Sequence, residues 1–161
     1  MNKCDHTSVG ALIYNGYGQL LMFERNTPPY GVAGPAGHCD GDSYIDALKK
    51  EVWEEVGLEV VKWSSKLVTA FSINRACRRP YEGEAGHEWQ FYLTTTTHLD
   101  LRPSERETKK VDWYSPLEIK QLMRRTEEYH LYATISDEEW YAQPGLDISW
   151  YRLFASVPKL L

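Results

Sequence analysis

Cysteine is scarce in this chain: Cys4, Cys39 and Cys77 are the whole supply, an odd number with no Cys-x-x-Cys pair. That spacing excludes a disulfide framework and a zinc ribbon, and reduced thiols in the cytoplasm are expected. No run approaches the roughly 18 consecutive apolar residues that a membrane span needs, and Met1 to Ser8 has no apolar segment resembling an export signal. Positive charge is not in excess either. The formal net charge is −5 and the sequence pI about 5.5, which argues against broad nucleic-acid binding and leaves only a local basic patch to consider. The five histidines, His6, His38, His87, His98 and His130, form no His-x-x-x-His or His-Glu-x-x-His pair, so histidine metal chemistry is not expected. Internal repeats and low-complexity tracts are absent as well.

What the chain does have is enough apolar material for one core. With 161 residues and 42% hydrophobic content, a single domain over residues 1–161 is expected. Val9 to Tyr14 and Gln19 to Glu24 are apolar runs around an Asn15-Gly16 turn signal, which reads as a hairpin. Leu67 to Ile73, Trp89 to Thr97 and Val111 to Tyr114 have strand composition. Ser115-Pro116-Leu117-Glu118 opens a helix with a capping box, expected to reach Met123 or Arg125. Ser136 to Glu139 caps one more short helix, and Ile148 to Val157 fits helix or strand by pattern alone.

The most informative segment lies between the hairpin and the next strand. Lys50 to Leu58 reads Lys-Glu-Val-Trp-Glu-Glu-Val-Gly-Leu, with Glu51, Glu54 and Glu55 inside a helical arc of roughly 100°. Ile45, Leu48, Val52 and Val56 form an apolar stripe beside them, while Trp53 faces away from both and is free for a neighbouring element or a second subunit. Like charges at these spacings cost roughly 0.2–0.5 kcal/mol per pair, a cost that a bound hard cation removes. Carboxylate oxygens suit Mg²⁺ or Mn²⁺. An ordinary solvated acidic face is the competing reading. Ahead of the helix, Gly34 to Asp42 is a glycine-rich loop, Ser43 or Asp42 supplies the N-cap, and Gly57 stands where a left-handed residue stops a helix.

Loop, helix and stop together resemble the Nudix box of the MutT-like hydrolases, Gly-x5-Glu-x7-Arg-Glu-U-x-Glu-Glu-x-Gly-U with U aliphatic. Glu51, Val52, Glu54, Glu55, Gly57 and Leu58 match it, and Lys50 replaces the arginine. The first half departs: the loop after Gly37 is one residue short, Asp42 replaces the first glutamate, and Ala36 stands where a second glycine is common. The resemblance is specific enough to outweigh the solvated-face reading. It implies an α/β fold, the Nudix α/β/α sandwich with a mixed β-sheet, and hydrolysis of a diphosphate linkage in a nucleoside diphosphate derivative. By motif position it implies Glu51, Glu54 and Glu55 as ligands of Mg²⁺ or Mn²⁺, the Gly37 carbonyl as a backbone ligand, and Lys50 as partner of a box glutamate. A homodimer is a further family-level expectation.

Residues outside the box must do the rest. Glu107, six residues before Trp113, is the first choice for a general base, with Glu105 second and Glu84 and Glu88 as further candidates. Arg75, Arg78 and Arg79 cluster where a planar fork could grip phosphate, although an exposed basic turn serves solubility equally well. Tyr30, Phe71 and Tyr81 are aromatics available to stack a base. Three functions stay open: a pyrophosphohydrolase acting on a nucleoside triphosphate, a nucleotide sugar or a dinucleoside polyphosphate; a catalytically weak nucleotide-sensing module; and an RNA 5′-end pyrophosphohydrolase. The intact glutamates favour the first and the acidic balance disfavours the third.

Overall fold

The strand Thr7–Leu12 (β1) is buried on both faces after its first residue, which marks it as a central strand rather than half of an exposed hairpin. In the computed structural model, which describes residues 4–67, 69–72 and 86–161, β1 pairs parallel with the strand His87–Thr96 (β7) and antiparallel with the short strand Ala36–His38 (β4). Along its other edge β7 takes up Val60–Trp63 (β5) and Thr69–Ser72 (β6), both antiparallel, so the sheet is mixed. A second sheet of three strands runs Val32–Ala33 (β3), Leu20–Arg25 (β2), Thr108–Tyr114 (β8), all antiparallel. The architecture is mixed α/β, as expected.

The chain gathers into two compact units, Met1–Tyr14 with Pro35–Ser104, and Asn15–Gly34 with Glu105–Leu161. The first holds the five-stranded sheet and the helix Tyr44–Val56 (α1); the second holds the three-stranded sheet and the helices Pro116–His130 (α2), Asp137–Ala142 (α3) and Ile148–Ser156 (α4). The expected hairpin is therefore corrected. The Asn15 turn does form, with Gly18 donating to the Asn15 carbonyl and Asn15 to that of Gln19, yet β1 and β2 enter different sheets. The reason is burial: β2 is as fully enclosed as β1, so each takes partners on both edges instead of pairing with the other.

Other expectations stand with shifted ends. The Ser115 helix carries its complete capping box and runs to His130, well past Arg125; the Ser136 helix has the same box; and the ambiguous Ile148 segment is a helix capped by Asp147. Within the second unit, Trp140, Trp150, Leu153 and Phe154 are buried, so the C-terminal third carries its own share of core.

On α1, Leu48, Val52 and Val56 are buried and Ile45 is half-buried, so the apolar stripe sits as the sequence places it, worth about 1.5–3 kcal/mol for each fully buried side chain. The Ser43 side chain accepts from the Asp46 amide at 3.1 Å, identifying Ser43 as the N-cap. Gly57 ends the helix at φ 71° and donates to the Trp53 carbonyl at 3.0 Å, while the Arg102 and Ser104 amides satisfy the Val56 and Glu55 carbonyls. A Cβ on Gly57 would stand 2.6 Å from Arg102 Cβ and 3.0 Å from its carbonyl oxygen. Gly57→Ala should thus cost at least the about 1–2 kcal/mol of a left-handed alanine and lower Tm by about 2–4 °C per kcal/mol. Gly16→Ala, with nothing within 4 Å of its Cβ, should stay within about 0.5 kcal/mol of wild type, and paired thermal melts check both.

Candidate active site

The acidic face of α1 opens beside β4, and both belong to the first unit. Backbone geometry explains how so short a loop links them. Asp40 and Gly41 both take left-handed φ values, 56° and 88°, the Asp42 amide closes the turn on the Cys39 carbonyl at 2.9 Å, and the Gly41 amide is anchored by Asp5 Oδ2 at 2.9 Å. Burial alone would raise the pKa of Asp5, but the Gly41 and Thr7 hydrogen bonds outweigh it and hold the carboxyl below its ordinary value. Two left-handed residues in succession turn the chain through the distance that a longer loop would need, which is how a box loop one residue short still delivers Ser43 to its capping position.

The three box glutamates stand in three different environments. Glu51 lies against Gly37: a Cβ at position 37 would fall on the Glu51 carboxylate, so that carboxylate rests in space that only a glycine leaves open. Glu55 is buried, and its Oε2 accepts the Ala36 amide at 2.9 Å. Glu54 is exposed. Residues 36 and 37 of one strand therefore engage two of the three carboxylates, and the donor set, carboxylate oxygens with a backbone carbonyl, is the one hard divalent cations prefer. The residues present fit the Mg²⁺ or Mn²⁺ that the motif implies.

Lys50 stands on α1 directly before Glu51. Its side chain is exposed and makes no ion pair among the described residues. Glu88 neighbours the start of α1, where the Tyr44 hydroxyl donates to its Oε1 at 3.1 Å, and burial together with that carboxylate pushes the Tyr44 pKa upward. Glu107 belongs to the second unit. It directly precedes β8, is partly exposed, has Arg106 Nε at 3.9 Å from its carboxylate, and accepts the Asn26 amide on its backbone carbonyl. Glu105 is exposed, its carbonyl taking the Asn26 side-chain amide at 3.1 Å. Tyr30 is exposed and meets Tyr141 edge-on at 5.3 Å between ring centroids, and Trp53 is 59% exposed. Arg75, Arg78, Arg79, Tyr81 and Glu84 lie outside the described residues, as does the side chain of Phe71.

The family model described as NUDIX domain matches residues 5–135. The chain belongs to the Nudix family. As a Nudix protein it is a hydrolase of the class that acts on pyrophosphate bonds, a class that generally uses divalent metals. Among solved structures, the MutT protein of Methanosarcina mazei Go1 is similar at 18% identity and TM-score 0.66, covering 99% of this chain and 96% of that one. The MutT NUDIX hydrolase of Burkholderia pseudomallei is similar at 19% identity and TM-score 0.57, covering 70% of this chain and 84% of that one. The Ap4A hydrolase of C. elegans, solved as a binary complex, is similar at 17% identity and TM-score 0.53, over 96% and 100% of the two chains. At these identities the likeness is one of fold. Among curated proteins no sequence relative matches. No helix among the described residues is long and apolar enough to cross a membrane.

Two groupings in this Nudix chain escape a reading by local spacing. Glu24 is buried in β2 and paired with Lys110 at 2.7 Å and Lys109 at 3.5 Å, lysines that precede Trp113 on β8 and meet Glu24 only through the strand register. Cys4, His38 and His87 converge from three segments far apart in sequence. Neither pattern has a sequence signature, because strand pairing rather than helical periodicity brings the residues together.

Proposed function

We propose that this Nudix hydrolase is a Mg²⁺- or Mn²⁺-dependent pyrophosphohydrolase that cleaves the diphosphate linkage of a nucleotide derivative such as a nucleoside triphosphate, a nucleotide sugar or a dinucleoside polyphosphate. The observation that carries this reading is the Gly37–Glu51 contact together with the Ala36–Glu55 hydrogen bond at 2.9 Å: β4 holds two box carboxylates in place, which a merely solvated acidic face would not require. Glu51, Glu54, Glu55 and the Gly37 carbonyl would hold the cation. When bound, divalent cations supply charge neutralisation on the phosphate oxygens and a more acidic water. The chain contributes placement. Glu55, enclosed and fixed by an amide, gives a rigid oxygen, and exposed Glu54 gives one that can adjust as phosphate enters.

Glu107 serves in this proposal as general base, taking the proton of the attacking water. Glu107→Gln should then lower kcat by about 10²–10⁴-fold with little change in KM, the range of a lost acid–base group, and Glu105→Gln should do far less. Steady-state kinetics on the two variants separate them; equal, small effects would remove Glu107 from the mechanism. The basic segment with Arg75, Arg78 and Arg79 is proposed to bind substrate phosphate, where arginine's fork matches two oxygens at once.

One observation favours a second reading, a nucleotide-sensing module with weak catalysis: Lys50, in the arginine position, pairs with no glutamate among the described residues. A nucleotide panel with Mg²⁺ and Mn²⁺, reading out phosphate, diphosphate and monophosphate, decides between them. Turnover of one class of nucleotide supports the enzyme; binding without turnover across the panel supports the sensor.

A further inference from the structure

Three neighbouring strands of the five-stranded sheet end at one place, and each delivers a donor atom there. Cys4 lies just ahead of β1, His38 closes β4 and His87 opens β7; their ligand atoms all lie within 4.8 Å of one another. Strand register accounts for the convergence, since Ser8 on β1 pairs with His38 on one side and Trp89 on the other. The group is enclosed: His87 is 1% exposed and Cys4 7%, with His38 partly open.

The surroundings orient the donors. Ser8 Oγ sits 2.9 Å from His87 Nδ1, which fixes the ring and turns Nε2 toward Cys4 Sγ at 3.1 Å. The His6 amide donates to Cys4 Sγ at 3.4 Å, made possible by the left-handed φ of 59° at His6, and such an amide stabilises sulfur in its thiolate form. His38 meets His87 edge-on, with ring centroids 4.5 Å apart. A histidine whose second nitrogen is held by a polar neighbour while the first faces a thiol is the arrangement that metal-bound histidines show. Zinc bonds of about 2.0–2.3 Å to nitrogen and sulfur put tetrahedral donors about 3.3–3.8 Å apart, so closing this group on an ion needs shifts of about 1 Å.

We propose that Cys4, His38 and His87 form a second metal site, selective for a zinc-type cation and distinct in chemistry from the all-oxygen box. Sulfur with two imidazoles suits Zn²⁺ or Co²⁺ and is a poor match for Mg²⁺. Binding exchanges the Cys4 thiol proton for the ion, forming one metal–sulfur and two metal–nitrogen bonds and leaving the fourth position to water. The ion ties together the ends of β1, β4 and β7, and with them the strand that carries Gly37. Cys39, although adjacent to His38, is not one of the donors that converge there.

Cobalt titration of chelator-stripped full-length protein, without Mg²⁺, tests this. One equivalent of Co²⁺ should produce a thiolate-to-cobalt charge-transfer band, and Zn²⁺ should displace it and raise Tm. Cys4→Ala and Cys4→Ser should abolish the band, and His87→Gln should weaken Zn²⁺ binding by at least about tenfold. Cys39→Ala, Cys77→Ala and the combined Glu51→Gln, Glu54→Gln, Glu55→Gln variant should retain it. Absence of the band in the wild-type protein overturns the proposal without recourse to any variant. So does a band that survives loss of Cys4, or cobalt taken up only through the carboxylates. The readouts are optical and thermal, so failure of the pyrophosphohydrolase reading would leave this result standing.

Discussion

Glu54→Gln is expected to reduce Mg²⁺-dependent turnover by at least about a hundredfold while leaving the melting temperature within about 2 °C of wild type. The two halves follow from one fact, that Glu54 is exposed on α1. An exposed side chain contributes little to packing, and the amide is nearly isosteric with the carboxylate, so the fold has no reason to change. The lost charge matters only if the carboxylate serves a cation. A glutamine oxygen is a neutral, weaker ligand for a hard divalent ion, so the metal requirement should rise along with the loss of rate. Titrating Mn²⁺ against the variant and following product release checks both. Turnover close to wild type would return the acidic face to the role of a solvated surface.

Gly37→Ala should be almost as damaging to activity, by at least about tenfold, and for a different reason. The added methyl would occupy the place of the Glu51 carboxylate. What it meets is the far end of a flexible side chain, and Gly37 has no positive φ to strain, so the protein can yield cheaply by swinging Glu51 aside. Stability should fall by no more than about 1 kcal/mol while Glu51, a proposed metal ligand, leaves its position. Gly57→Ala makes the useful contrast: there the neighbour includes backbone and φ is left-handed, so stability should suffer first. A Gly37→Ala protein that melts several degrees low yet hydrolyses normally would show that Glu51 is not held for catalysis.

The sequence was legible where physical chemistry acts locally. Ser43, Gly57, Ser115 and Ser136 announce helix ends through side-chain caps and a left-handed stop, and all four sit where such signals place them. The box glutamates were legible for the same reason, since helical periodicity alone puts Glu51, Glu54 and Glu55 on one face. Long-range pairing was not. β1 and β2 flank a good turn and look like a hairpin, yet each is buried on both faces and takes other partners, β1 with β4 and β7, β2 with β3 and β8. Ala36–His38 reads as glycine-rich loop because a three-residue strand has no periodicity to detect. The same limit hid the buried Glu24 with its two lysines and the meeting of Cys4, His38 and His87, which lie 34 and 49 residues apart. Lys50 shows the converse: a motif position fixes the place of a residue on the helix but not its contacts, and here the side chain is exposed.

The most direct measurement is anomalous diffraction from crystals soaked in Mn²⁺ with a non-hydrolysable nucleotide diphosphate. A manganese peak bonded to Glu51 and to Glu54 or Glu55, with the Gly37 carbonyl in its shell and phosphate oxygens completing it, is the predicted result. Box carboxylates with no anomalous signal at saturating Mn²⁺, or a signal confined to the Cys4, His38 and His87 group, would contradict it.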